Sequence, residues 1–192
     1  MPCGHFTLEK HGNSPLVLVA AGVGVTPIMS ILDHYGEKYK KGEKLNQKII
    51  CIQSKKSPAR HLMKDHIDEL VGAGLTESHV FYTRDSGKTA NLKNTKIHHG
   101  RMTLESIRPI TAGVLDTAEF YFCGPELFMD NFSSILDGLN VPQSRRHYEY
   151  FGPPKPGMQT YCTSRPSSIN NQKKINVILL KNLIVLPDLY AW

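Results

Sequence analysis

Two turns rich in glycine and proline carry the main chemical signal of this sequence. The first is A-G-V-G-V-T-P at residues 21–27, and the second is C-G-P at residues 123–125. Gly22 and Gly24 let the backbone approach a bulky anion closely, and the free N–H groups near Thr26 can bind a phosphate. Taken alone, the first segment is also compatible with a tight turn that binds no ligand.

The segments around these turns alternate between strand and helix patterns. Short apolar runs predict strands at residues 16–20, 48–54, 79–83, 119–123 and 147–151, and helical spacing predicts helices at 26–39, 58–71 and 126–139. Thr26 is the predicted N-cap of the first helix, and Leu127 belongs to the predicted inner face of the last one. Residues 85–100 are predicted to form a loop. This order predicts an α/β fold with a doubly wound, five-stranded parallel sheet in three layers.

Both turns therefore lie at one edge of the predicted sheet. In doubly wound sheets, ligands bind outside the carboxyl ends of the strands, where the strand order reverses. Two turns that face each other at this point form a cleft that fits a dinucleotide.

Composition limits the other functions that this chain could have. The net charge of +6 over 192 residues suits a polyanionic small molecule, and it is too dilute to indicate nucleic acid. No membrane partner is predicted, because no apolar run reaches the length of a spanning helix. The four cysteines contain no C-x-x-C pair, so neither a metal site nor a disulfide scaffold is expected. The sequence therefore predicts a cytoplasmic location, where thiols stay reduced.

Three motifs in the same order identify a family resemblance. A-G-V-G-V-T-P, then Y-F-C-G-P with F-M close behind, then H-Y-E-Y-F-G-P resemble the ferredoxin–NADP reductase superfamily, in particular the nicotinamide domain of flavohaemoglobins and related flavin reductases. The resemblance covers residues 16–153. It implies an oxidoreductase module that delivers hydride from NAD(P)H to FAD, from which electrons continue to a haem or iron–sulfur acceptor.

The resemblance also implies roles for individual residues. Cys123 is expected near the reacting carbon as an orienting group, and Phe151 beside the flavin ring, so these two are the predicted catalytic residues. The alternatives are a small buried residue for Cys123 and an ordinary strand-end aromatic for Phe151. The predicted dinucleotide contacts at the two turns are Gly22, Val23, Gly24, Val25, Thr26, Pro27, Gly124, Pro125, Phe128 and Met129, of which Met129 is also compatible with the core.

The end of the second strand is expected to select the nucleotide. Ser54, Lys55, Lys56 and Arg60 supply hydroxyls and cations where NAD-specific proteins of this fold carry an acid. These residues favour the 2′-phosphate of NADPH, with NADH left open. A solvated basic loop is the alternative.

The resemblance divides the chain into three parts. Residues 1–13 resemble the last strand of a flavin-binding barrel, residues 14–153 form the NAD(P)-binding domain, and residues 154–192 are a linker and an unassigned tail. The flavin domain, its FAD and the electron acceptor are expected to lie outside this chain. The alternative function is a non-catalytic fragment that binds the dinucleotide and cannot pass the hydride on.

Overall fold

The fold is known from a computed structural model that describes residues 12–61, 63–84 and 92–150. These residues form one sheet of six parallel strands in the order β4-β3-β2-β1-β5-β6. The strands are β1 (Leu16–Ala21), β2 (Ile49–Lys55), β3 (Glu77–Tyr82), β4 (Thr95–His99), β5 (Glu119–Gly124) and β6 (Arg146–Tyr150). The helices are α1 (Val25–Lys40), α2 (Lys64–Gly72), α3 (Leu104–Thr111) and α4 (Glu126–Gly138).

Helices cover both faces of this sheet. Alternate side chains of a strand point to opposite faces, so β1 contributes to two cores. Val17 and Val19 pack with residues of α3 and α4, whereas Leu16 and Leu18 pack with residues of α1 and α2. Every residue of β1 is buried, which explains its continuous apolar sequence. The predicted α/β fold with a parallel sheet is confirmed.

The predicted number of five strands is wrong, because the described part of the supposed loop 85–100 contains β4. This strand pairs in parallel with β3, from Ser78 opposite Thr95 to Tyr82 opposite His99. Its T-K-I-H-H sequence has one aliphatic residue, so the apolar pattern of a strand is missing. The strand is packed instead through the His98 ring, which stacks on Phe81 with ring centroids 4.4 Å apart. An edge strand tolerates this polarity because part of it stays in contact with water.

The helix predicted over residues 58–71 is divided in two. Pro58 begins a single 3₁₀ turn that ends at Arg60, and α2 begins only at Lys64. Between them, Met63 has a φ of 61°, in the left-handed region, which a continuous right-handed helix excludes.

Helix α4 presents one apolar face to the sheet. Met129, Phe132, Ile135 and Leu136 are buried there. The prediction that Leu127 belongs to this face is wrong, since its side chain is 83% exposed. Two residues correspond to about 200° of helical rotation, which places Leu127 on the side opposite Met129.

None of the helices in the described ranges combines the length and the apolar character that crossing a membrane requires.

Candidate functional site

The strand order reverses between β1 and β5, and both glycine turns lie at this point. The chain builds β2, β3 and β4 outward on one side of β1, then returns to add β5 and β6 on the other. Ala20 at the end of β1 pairs with Cys123 of β5, and Ala21 pairs with Ser54 of β2. The ends of three strands thus lie side by side at the edge where ligands bind in sheets of this type.

The first turn touches the backbone of the second. Gly22 has a φ of 56°, a left-handed conformation that favours glycine. Gly24 has an ordinary φ of −61°, so its backbone conformation does not require glycine. The requirement is one of space: a Cβ at Gly24 would lie 2.1 Å from the carbonyl oxygen of Cys123. The two predicted turns therefore meet through this residue.

Helix α1 begins directly behind this turn. It begins at Val25 with Gly24 as its N-cap, so the prediction of Thr26 as N-cap is wrong. The Thr26 hydroxyl donates instead to the carbonyl oxygen of Val23 at 3.0 Å, within the turn. Val25 is buried, while Val23 and Thr26 are exposed and Pro27 is half-buried. The first turn of α1 carries no acidic residue, so no side-chain charge there offsets the positive end of the helix dipole.

The second turn packs just as closely. A Cβ at Gly124 would lie 2.6 Å from the ring of Phe128 and 3.0 Å from the Cβ of Ala21. The backbone N–H groups of Phe128 and Met129 both donate to the carbonyl oxygen of Pro125, at 2.9 and 3.0 Å. Phe128 is half-buried at the cleft, whereas Met129 points into the core beneath the sheet.

Cys123 shares the edge of the sheet with an acidic residue. Cys123 of β5 pairs with Glu149 of β6, so their side chains lie on the same face. Burial, followed by the nearby Glu149 carboxylate, raises the pKa of the Cys123 thiol to about 12. Burial also raises the pKa of Glu149. Cys123 is therefore a neutral thiol at pH 7, which suits an orienting group rather than a nucleophile.

Glu149 is a candidate site residue that the sequence analysis missed. It lies within the H-Y-E-Y-F-G-P motif, two residues before Phe151. Its position beside Cys123 follows from the parallel register of β5 and β6, which the amino-acid pattern alone does not specify.

The residues at the end of β2 that are predicted to select the nucleotide differ in their burial. Ser54 and Lys56 are half-buried and Arg60 is exposed, so all three keep contact with solvent. Lys55 is only 5% exposed and shares a face with Cys51, towards α1 and α2. Burial lowers the pKa of Lys55 to about 8.

The structure brings some of the predicted site residues together and leaves others apart. Around the contact between the two turns it brings together Gly22, Gly24, Cys123, Gly124, Pro125 and Phe128. Met129 contributes to the core and Lys55 to the interior. Phe151 lies outside the described residues. Within the described ranges, no group of three or more His, Cys, Asp and Glu side chains is arranged to hold a metal ion.

Comparison with known proteins agrees with this geometry. The sequence pattern of the oxidoreductase NAD-binding domain matches residues 18–134. A flavohemoprotein of Bacillus thuringiensis subsp. konkukian is 32% identical over 155 residues, covering 79% of this chain and 36% of that protein. One from Rhodopirellula baltica is 34% identical over 154 residues, with coverages of 79% and 36%. The flavohem-like FAD/NAD binding domain of nitric oxide dioxygenase from Vibrio cholerae matches with a TM-score of 0.57 and 30% identity, covering 73% of this chain and 52% of that structure.

The match includes both glycine turns, most of β1 and all of β5. This chain spans little more than a third of the length of these flavohemoproteins. The predicted resemblance to the ferredoxin reductase superfamily is confirmed, and so is the assignment to an NAD-binding module of oxidoreductases. The chain belongs to the oxidoreductase NAD-binding domain family.

Proposed function

We propose that this chain binds NADPH or NADH across the two glycine turns and presents the nicotinamide ring to FAD held by a flavin-binding domain. The observation that carries the proposal is the backbone contact between Gly24 and the Cys123 carbonyl, at the point where the strand order reverses. A dinucleotide needs two adjacent half-sites, and this contact joins two turns of suitable chemistry into one cleft.

The two turns differ in charge, which orients the dinucleotide. The first turn of α1 has no acidic residue, whereas α4 carries Glu126 in its first turn. A pyrophosphate is therefore favoured at the start of α1, where residues 22–27 supply backbone N–H groups. The nicotinamide then lies towards Cys123, Gly124 and Pro125.

Cys123 and Glu149 are proposed to orient the nicotinamide. Cys123 offers a neutral thiol, and Glu149 offers a carboxyl group on the same face of the sheet. The hydride chemistry belongs to the nicotinamide and the flavin, so the protein contributes mainly alignment. Electrons then leave for a haem or iron–sulfur acceptor.

We place this reaction in the cytoplasm, in agreement with the free thiols of Cys51 and Cys123.

NADPH is the proposed preferred dinucleotide. Lys56 and Arg60 follow the end of β2, next to the position where adenosine ribose is recognised in this fold. No acidic residue lies between Ser54 and Arg60, so no carboxylate in this segment repels a 2′-phosphate. Lys55 does not contribute, because it points into the interior.

Calorimetric titration of the purified chain with NADPH and with NADH tests this site. We expect NADPH to bind about tenfold more tightly, a difference of about 1.4 kcal/mol. Arg60→Ala is expected to weaken NADPH binding and leave NADH binding unchanged, because the guanidinium would contact only the 2′-phosphate. The matched control is Lys64→Ala, which removes an exposed cation from the start of α2. Equal affinity of the wild-type chain for both nucleotides contradicts the proposed preference.

Reduction of a dye with the flavin domain of a related flavohemoprotein added in trans tests the activity. NADPH-dependent turnover that requires both proteins supports hydride transfer. Nucleotide binding without turnover supports a fragment that only binds the dinucleotide. Absence of binding to either nucleotide refutes the proposed cleft.

A further inference from the structure

A cluster of polar side chains lies inside the protein, on the α1 and α2 side of β2 and β3. Gln53 and Lys55 are alternate residues of β2 and therefore share one face. Tyr82 is the partner of Lys55 in the parallel register, and its hydroxyl lies 2.9 Å from Nδ1 of His61. Gln53, Lys55 and His61 are 0%, 5% and 7% exposed, so water reaches hardly any of them.

Among the described residues, several polar atoms of this cluster have no hydrogen-bond partner. They are both amide atoms of Gln53, Nζ of Lys55 and Nε2 of His61, with Oγ of Ser78 nearby on β3. Each buried polar atom without a partner costs about 1–3 kcal/mol, and native proteins fill such gaps with water or ions. Four atoms on three neighbouring side chains without a partner in the described part of the chain are of the kind that bound water molecules or ions satisfy.

The charge in this cluster is also unbalanced. Among the described residues, no carboxylate pairs with the Lys55 ammonium. The alternation of β2 places Lys55 on the same face as Cys51 and Gln53, and its positive charge helps to lower the pKa of the His61 imidazole. A water molecule would accept hydrogen bonds from these donors but leave the Lys55 charge uncompensated. An anion would accept from Nζ of Lys55, Nε2 of Gln53 and Nε2 of His61 and would also compensate the charge, while Oε1 of Gln53 would still require a donor.

We propose that Lys55, Gln53 and His61 form an internal site for a small inorganic monoanion of the size of chloride or bromide, separate from the dinucleotide cleft. The Lys55 ammonium and the Gln53 amide N–H groups supply donors. The neutral His61 ring supplies another when the Tyr82 hydroxyl donates to Nδ1, because the ring proton then resides on Nε2. Gln53 and Lys55 lie on the opposite face of β2 from Ser54, so the proposed site does not use the residues proposed to recognise the 2′-phosphate.

Thermal unfolding of the full chain in sodium chloride and in sodium gluconate, at equal ionic strength, tests this site. Gluconate is too large to enter, so we expect chloride to raise the Tm in a saturable manner, by about 5–10 °C at one hundred times its Kd. Lys55→Met is expected to lose the chloride response and to unfold at a higher temperature than the wild type in gluconate, because a buried unpaired charge has been removed. Lys41→Met, at the exposed end of α1, is expected to keep the wild-type response.

Two outcomes of this experiment overturn the proposal. One is a wild-type Tm that is equal in the two salts, and the other is a Lys55→Met variant that keeps the chloride response. Should that variant fail to fold, wild-type crystals grown in sodium bromide decide the matter. An anomalous peak within hydrogen-bonding distance of Lys55 Nζ supports the site, and density for water alone at that position refutes it.

Discussion

Gly24→Ala tests whether the two glycine turns form one site. Gly24 has φ and ψ values of −61° and −4°, which alanine adopts without strain. Backbone preference therefore does not oppose the change. Any loss of stability or of dinucleotide affinity must come from the new methyl group, which would lie 2.1 Å from the carbonyl oxygen and 2.3 Å from the carbonyl carbon of Cys123.

The size of the effect follows from this overlap. Real Cβ atoms essentially never come closer than 3.0 Å to such neighbours, so the turns must separate by about 0.9 Å. The neighbouring atoms belong to the backbone of β5 at Cys123 and Gly124, which cannot rotate away as a side chain can. Overpacking of this kind lowers the free energy of unfolding by about 1–3 kcal/mol. We expect dinucleotide affinity to fall by about tenfold or more, because both half-sites lose their relative position.

Thermal unfolding and calorimetric titration with NADPH measure the two effects. The matched control is Gly113→Ala, because a Cβ at Gly113 meets no atom of the described residues within 4 Å. We expect this control to resemble the wild type in both assays. Gly24→Ala with the Tm and the NADPH affinity of the control would show that the two turns do not touch as described, and the argument for a joint cleft would fail.

Three further predictions follow from burial and charge. Phe132→Ala is expected to lower the free energy of unfolding by about 3–5 kcal/mol, whereas Leu127→Ser changes it little because Leu127 is exposed; denaturant unfolding of both variants distinguishes the two positions. Cys123 is expected to resist iodoacetamide at pH 8 in the folded chain, because burial holds the pKa of its thiol at about 12; rapid labelling in mass spectrometry would contradict this. Burial lowers the pKa of His61 from 6.5 to about 4. As the pH decreases from 6.5 towards 4, the His61 imidazole therefore binds a proton in the unfolded chain but not in the folded chain, and the free energy of unfolding falls. We expect about 2–3 kcal/mol of this loss to vanish in His61→Gln, measured by urea unfolding in gluconate buffers across that interval.

The apolar runs were sufficient to predict the centre of the sheet. β1 and β5 are covered by helices on both faces, so nearly every position must be apolar and the strands stand out in the sequence. The two turns were equally visible, since glycine and proline end each of these runs. What made them a site, the contact of Gly24 with Cys123, depends on the pairing of β1 with β5 across more than one hundred residues of chain.

Polar residues at the edge and ends of the sheet were harder to interpret. The sequence pattern does not predict β4, because His98 packs against Phe81 and His79 of the neighbouring strand, which no local pattern reveals. The sequence predicts Lys55 at the dinucleotide cleft, as a cation for the 2′-phosphate, with a solvated basic loop as the alternative. Lys55 is instead the last residue of β2, and the alternation of the strand directs it to the side of Cys51.

The two glycine turns are held in place by packing within this domain. Gly124 lies under the ring of Phe128, and this ring stacks on the buried Phe132 with ring centroids 6.0 Å apart. Gly24 lies against the end of β5. Both turns are therefore held by the core of this domain and by each other. We accordingly expect the chain to bind a dinucleotide by itself and to need a flavin domain only for turnover, which makes binding and electron transfer separately measurable.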